Sequence, residues 1–538
     1  MMKYLYFIVL LAFFACNRGH NLDNLIDANQ IEQDILILAS DSLEGRAPMT
    51  VGEQRTLAYL THRMKEIGLE PAFGDSYLQE VPLAEITSEV QDRIVISSGK
   101  KNLELIEGEN YTLWSPLLKS NFALRNSELI FAGFGIVAPE YGWNDFDGID
   151  LAGKTVVVLV NDPGFHTGNN DLFNGNAMTF YGRWPYKFDA ANLSGAAGCI
   201  IIHEDKAAGY PWSVVDRSGN NTEYYLNNES LRQNTCGVNG WITRETAIQL
   251  FELCGMDYEQ MKSRATEPGF KPVTMNANYS VSIENSWKES LSYNVGGIIR
   301  GSQLPDEALV YTAHWDHLGK GVPIDGDSIY NGASDNAAAI AWMLSIAKGF
   351  KLLEKAPQRS ILFLSPTAEE SGLIGSNHYV NNSIFEHSKT VACFNSDVIL
   401  FLGKFLDVTV TGLGHSELDR YLEEEAAKQG RYICNDPNPE NGMFFRSDQL
   451  PFLRAGIPAL FAKGYTHQVD MGKEETLKAV EEYWRVTYHK PSDHYVPQKH
   501  NLDGLVGDTK LFFRLGNRLA NENYFPKWSK TSEFYVER

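Results

Sequence analysis

Cysteine is scarce in this chain of 538 residues, with six in all. Cys16 apart, Cys199, Cys236, Cys254, Cys393 and Cys434 are scattered and odd in number, so no disulfide framework is implied. Cys199 and Cys393 lie in apolar runs and read as small core residues, while a bond between Cys236 and Cys254 is allowed. Positive charge is also in deficit, with 47 Lys and Arg against 68 Asp and Glu and a formal net charge of -21. That balance argues against nucleic acid or anionic lipid as the main partner, since both reward basic patches. Internal repeats and low-complexity tracts are absent, and 43% hydrophobic with 12% aromatic residues can fill real cores, which excludes wholesale disorder.

No apolar run reaches the length of a membrane helix. The N-terminal run Tyr4 to Ala15 follows Lys3 and stops at Cys16-Asn17-Arg18, the pattern of an export signal. Phe14-Ala15-Cys16 resembles a bacterial lipoprotein cleavage site. Residues 1–16 are therefore expected to be a signal and Cys16 to carry a lipid anchor. The product would be exported, either periplasmic or a membrane-anchored lipoprotein attached through lipid alone.

The length points to two or three domains. Residues 21–116 begin with helical stretches: Ile31 to Leu38 is apolar at helical spacing, and Gly52 to Gly68 carries Leu57, Leu60, Met64 and Ile67 on one stripe. Ser76 to Leu83 then suits an edge strand. From residue 117 to 285, short β-like runs (Glu128 to Ala132, Lys154 to Val160, Gly198 to His203) alternate with loops rich in Gly, Asn, Asp and Pro. This segment reads as an insert with a small β-rich core of its own. From 286 to 538, strands alternate with helices, which predicts a three-layer α/β domain around a mixed, largely parallel sheet.

Within that last region, three apolar runs each end on acidic or histidine residues. Ala308 to Ala313 ends on His314-Trp315-Asp316-His317, Ile361 to Leu364 leads to Glu369-Glu370, and Thr390 to Phe394 leads to Asp397. Asn331-Gly332-Ala333-Ser334-Asp335-Asn336 opens a helix between the first two. Ligands of open α/β sheets bind at the C-terminal strand edge, so these residues are candidates to meet there. Two divalent ions sharing a water need one bridging carboxylate and further N or O donors on each metal. Carboxylates mixed with imidazole and lacking thiolate suit zinc, with manganese or cobalt as competitors. A general base that is not itself a ligand is also required, and adjacent Glu369 and Glu370 can divide those two tasks. A second histidine has to come from downstream.

These motifs resemble the co-catalytic zinc peptidase family that includes bacterial aminopeptidases, glutamate carboxypeptidase and glutaminyl cyclase. The resemblance implies two zinc ions, one held by His314, Asp335 and Asp397 and the other by Asp335, Glu370 and His489. His489 is preferred to His494 because it precedes Pro491-Ser492-Asp493. The resemblance gives Glu369 the role of general base and puts Asp316 behind His314. Tyr488 or Arg446 would help polarise a substrate carbonyl. Leu38 to Arg46 is similar to the entry motif of bacterial members. Tyr181-Gly182-Arg183-Trp184 and Gly195 to Gly198 look like their protease-associated insert. Gln449 departs from the family, where a His often follows Arg-Ser-Asp. His317, His378 and His467 read as pocket or supporting residues.

The activity implied is an exported aminopeptidase acting on peptides, with a zinc-peptidase α/β/α domain (phosphorylase/hydrolase-like) and a protease-associated insert. The alternatives are a carboxypeptidase of the glutamate carboxypeptidase type, a single-zinc glutaminyl cyclase, and a non-catalytic binding protein.

Overall fold

The fold is described from a computed structural model over residues 22–219, 221–228 and 236–538. The expected signal at residues 1–16 and the lipid site at Cys16 lie outside the described residues.

Helices α1 (Ala28–Leu38) and α2 (Val51–Ile67) start on side-chain caps, Asp27 and Thr50 accepting backbone N–H groups of the first turns. Gly68, at φ 85°, ends α2 in the left-handed conformation that suits glycine. The remaining frame is β1 (Leu78–Val90), β2 (Val273–Ile299), β3 (Leu304–Thr312), α3 (Ala338–Lys351), β4 (Arg359–Ser365), α4 (Ile374–Asn381), β5 (Thr390–Asn395), β6 (Asp407–Thr411), α5 (Leu418–Ala427), β7 (Tyr432–Asn435), α6 (Gln449–Arg454), β8 (Ala459–Lys463) and α7 (Asp503–Asn521).

Pairing sets the sheet order β1-β2-β4-β3-β5-β8-β6-β7, with β4, β3, β5 and β8 parallel to one another. Alternate residues of the central strands feed two cores. Leu309, Tyr311, Ile361 and Phe363 pack against α1, α2, α3 and α7, whereas Val310, Leu362 and Leu364 pack against Tyr379 and Val380 of α4 and Phe452 and Leu453 of α6. The result is the expected α/β/α layering around a mixed sheet. In register, Thr312 stands beside Leu364 and Asn395, so the segments after β3, β4 and β5 emerge together at one edge.

The second half of the architecture is a smaller sheet of Asn121–Phe131, Thr155–Leu159, Gly198–His203, Val238–Thr243 and Tyr111–Trp114. Its faces also alternate, Val157 and Leu159 entering one core and Val156 and Val158 another. The first of these cores also takes Ile94, Ile96, Leu105 and Leu113, upstream of residue 117. Strand β2 is long enough to serve both halves: Met275 to Ile283 belong to the smaller core, Val295 and Ile299 to the larger.

One expectation is narrowed, and one pairing that the sequence allowed is absent. The strand expected at Ser76 to Leu83 runs from Leu78 to Val90, and from Leu78 to Val81 β2 is its one strand partner among the described residues, as at an edge. From Leu83 to Thr87 it is flanked by β2 on one side and by Thr222–Leu226 on the other, because a distant segment covers the free backbone groups. Cys236 and Cys254 are not bonded. Cys236 is buried with its thiol toward the Ala196 carbonyl, and Cys254 packs against a different core.

Candidate metal centre

Each strand end delivers a side chain that local structure then aims. His314 follows β3, and its Nδ1 faces the Asp316 carbonyl at 3.1 Å, which leaves Nε2 for the centre. Nε2 lies 3.2 Å from Asp397 Oδ1, 3.4 Å from Asp335 Oδ1 and 3.9 Å from Glu369 Oε2. The Asp316 carboxylate has a different partner from the one expected. Its two oxygens accept the amides of Glu369 and Glu370, at 3.1 and 3.3 Å, and so hold the turn after β4. His314 is oriented mainly by the carbonyl of Asp316, with the carboxylate 3.8 Å away.

Asp335 precedes α3. The carboxylate of Asp493 accepts the amides of Ser334 and Asp335, at 3.0 and 3.1 Å. Arg46 supports the same loop from below. Its guanidinium donates to the carbonyls of Leu38, Trp315, Asn331, Gly332 and Asp335, and it is fully buried without a carboxylate hydrogen bond. Burial pulls Arg46 down to about 10, against the pull of Asp335, Asp493, Asp316 and Glu370. Gly332, at φ +60°, is required here, since a Cβ would come within 2.0 Å of the Asp335 carbonyl and 2.6 Å of the His317 ring. After β5, the Asp397 and Val398 carbonyls are each held at 2.6 Å by Lys463 of β8.

The second histidine comes from the loop after residues 483–487. His489 Nε2 lies 3.0 Å from Glu370 Oε2 and 3.3 Å from Asp335 Oδ2. His317 closes on the same carboxylate, with Nδ1 2.6 Å from Glu370 Oε1. His317, Asp335 and Glu370 offer one cluster of donor atoms, and His314, Asp335 and Asp397 another. All of the expected ligands thus meet, and His317, read from the sequence as a supporting residue, stands among them. His494 faces the Pro491 carbonyl instead, and His467 pairs with Tyr432. Gln449 is buried between Asn395 and the Phe444 carbonyl. Tyr488 stacks on His489 at 3.8 Å, and Arg446 stands over the Tyr210 ring.

These donors fit a metal ion better than they fit one another. Asp335 Oδ1 and His489 Nε2 are buried and make no well-formed hydrogen bond, although oppositely charged atoms lie within 3.4 Å of each. Atoms that converge without bonding are arranged around a point between them. Electrostatics agrees. Burial would lower His489, yet Glu370 and Asp335 push it up to about 10. Burial raises Glu369 well above the usual carboxylate range, with Asp397, Glu370 and Asp448 adding to it and His314 opposing. Asp397 is held below that range by His314 and Lys463 against its burial. The mixture of imidazole and carboxylate is a zinc-type donor set. His314 is buried, but the His489 side chain is 34% exposed, so the centre opens on that side.

Residues 294–511 match the model of Peptidase family M28. The matched part, termed the M28 domain for that likeness, carries every expected ligand, from His314 to His489. Among curated proteins the chain is similar to aminopeptidase NAALADL1 of Mus musculus, at 34% identity over 142 residues, 25% of this chain and 18% of that protein. The matched stretch thus spans about a fifth of the curated relative's length. Among solved structures, an aminopeptidase from Aneurinibacillus sp. strain AM-1 aligns at TM-score 0.48 and 17% identity over 93% of this chain and 95% of that one. BSAP, a zinc aminopeptidase from Bacillus subtilis, aligns at TM-score 0.43 and 19% identity over 95% and 98%.

Beyond His317, sequence reading missed two supports of the centre. Arg46 lay in a quoted motif with no role attached, and the packing of its donors is invisible in one dimension. Lys463 had no signal at all, because an ammonium that serves two carbonyls looks like any other lysine at a strand end.

Proposed function

We propose that the chain is an exported, zinc-dependent aminopeptidase that removes N-terminal residues from peptides. One observation carries this reading. Asp335 offers one oxygen to His314, at 3.4 Å, and the other to His489, at 3.3 Å, as a carboxylate bridging two metal sites must. His314, Asp335 and Asp397 would hold one zinc, and Asp335, Glu370 and His489 the other, with His317 within reach of the second. Bound there, the metals would supply Lewis acidity toward a peptide carbonyl and would acidify water.

The protein's own residues do the rest. Glu369 is buried beside the ligands without being needed as one, and its raised proton affinity suits a group that takes a proton from water and returns it to the leaving amine. Asp316 holds the Glu369 and Glu370 amides, so base and ligand keep their spacing. The smaller sheet, read as a protease-associated insert, would wall the cleft, and the run before Cys16 supports export with a lipid anchor. Convergence of two complete donor groups favours hydrolysis over single-zinc cyclisation.

The test is hydrolysis of aminoacyl-nitroanilides by wild type and Glu369→Ala, with bound zinc measured in both. The expected result is activity and two zinc ions in wild type, with activity lost but zinc kept in the variant. An inert wild type with two zinc ions would turn the reading to a carboxypeptidase. One zinc or none would overturn the two-metal mechanism.

A further inference from the structure

The other arginines with buried side chains meet a carboxylate or backbone carbonyls, although Arg359 and Arg514 also leave nitrogens open. Arg63 pairs with Asp34, Arg359 with Glu307, and Arg46 with five carbonyls. Arg183 and Arg446 differ. Arg183 Nε and Arg446 Nε and Nη2 are buried and have no hydrogen-bond partner among the described residues. Among the described residues neither guanidinium has a carboxylate partner: the charges acting on Arg183 are Arg446 and Tyr210, and those on Arg446 are Tyr210 and Tyr488. Burial, with the like charge of Arg446 added, draws Arg183 down to about 9.

The two side chains cross between the halves of the molecule. Arg183, which opens the helix Trp184–Leu193 of the smaller half, runs past Gly442 of the M28 domain, where a Cβ would lie 3.4 Å from its Cδ. Arg446 runs the other way, with its Nη2 3.6 Å from where a Cβ on Gly209 would lie and its guanidinium 5.6 Å over the Tyr210 ring. Two like charges brought together in a half-buried place, with donors left open, cost stability unless an anion completes them. The pair also lies near the metal centre. Ser447, next to Arg446, accepts a hydrogen bond of 2.8 Å from Asn395 at the end of β5, and Tyr488, which acts on Arg446, stacks on His489 at 3.8 Å.

We propose that Arg183 and Arg446 together bind a carboxylate of the peptide substrate, so that the enzyme prefers peptides carrying that charge near the scissile bond. The planar donor forks of two arginines match a carboxylate, and a neutral amide in the same place would leave the donors open. The carboxylate belongs either to the C-terminus of a short peptide or to an acidic side chain. The inference rests on the peptide-hydrolase reading above.

The test uses the zinc-loaded full chain and two matched pairs: alanyl-alanine against its C-terminal amide, and alanyl-glutamate against alanyl-glutamine, both as C-terminal amides. At least one pair should show kcat/KM about 10²-fold higher for the carboxylate. That ratio should collapse toward one in Arg183→Gln and in Arg446→Gln and be partly kept in Arg183→Lys, with zinc content unchanged and the melting temperature of the free enzyme not lowered. The first pair responding assigns the C-terminus, and the second assigns a side chain. Ratios near one for both pairs in wild type overturn the proposal, as does a preference that survives both glutamine variants. If no peptide is cleaved, the hydrolase reading fails by itself. Calorimetry with N-acetyl-alanine and its amide then decides the anion site: tighter binding of the acid, lost in Arg183→Gln, sustains it, and equal binding overturns it.

Discussion

Two clusters of buried charge sit in the two halves of the molecule, and they are finished in opposite ways. In the smaller half, Asp145 accepts from the Phe134 and Ile136 amides and the Trp143 indole, while Asp162 accepts from the Phe165 amide and from both the amide and the hydroxyl of Thr179. Lys187 lies between them and donates to the Asn161 carbonyl at 2.8 Å. In the M28 domain, five carboxylates (Asp335, Glu369, Glu370, Asp397 and Asp448) crowd around histidines, and Asp335 Oδ1, Asp448 Oδ2, His317 Nε2 and His489 Nε2 remain without hydrogen bonds. A buried charge knot that satisfies itself belongs to the architecture; one that leaves donors and acceptors aimed at a common point is a binding site.

The sharpest way to test this contrast is to change one carboxylate that the centre does not need for folding. Glu369→Gln should lower kcat by about 10²- to 10⁴-fold, the range of general-base loss, with melting temperature and zinc content unchanged. Lys187→Met should do the reverse. Removing the cation leaves Asp145 and Asp162 buried without it and should cost about 3–5 kcal/mol in urea denaturation, with zinc content intact. If Lys187→Met lost zinc instead, the two clusters would not be independent.

Chelation should destabilise the M28 domain, and zinc returned at about a hundredfold its dissociation constant should restore about 3 kcal/mol, read as a shift in melting temperature. Zinc affinity should also rise with pH. His489 holds a proton up to about 10 in the carboxylate field, and a ligand must be neutral, so each metal taken up there displaces that proton. Isothermal titration between about pH 6 and 9 should show affinity falling on acidification. The smallest effect separates the two histidines on Glu370. His489→Ala should weaken the second zinc far more than His317→Ala, for which about a tenfold loss is expected if it acts as a support. Equal losses would make His317 a ligand.

Much of this centre was legible in the sequence. His314, Glu370 and Asp397 end apolar runs, and a strand that stops on a polar side chain exposes it at the sheet edge. Asp335 opens a helix, where a carboxylate is held by local structure. His317 was harder, because its role depends on which way the chain from Ala313 to His317 turns after β3, and Gly332 had to vacate the space its ring occupies. The strand from Leu78 begins as the edge that the sequence suggested, and its cover from Leu83 onward was not legible because Thr222–Leu226 lies more than a hundred residues away. The Cys236–Cys254 pair failed for the same reason, since the two thiols face different cores.

The sequence by itself determined the elements, the layer order and the residue types of the metal centre, because hydrophobic period and strand-end polarity are local properties of the chain. Only the tertiary structure decided how Arg46 and Lys463 brace the ligand loops, which histidines share Glu370, and that Arg183 and Arg446 meet with no carboxylate between them among the described residues. Those outcomes depend on distances between segments far apart in the chain, and burial and Coulomb interactions act through space rather than along the sequence.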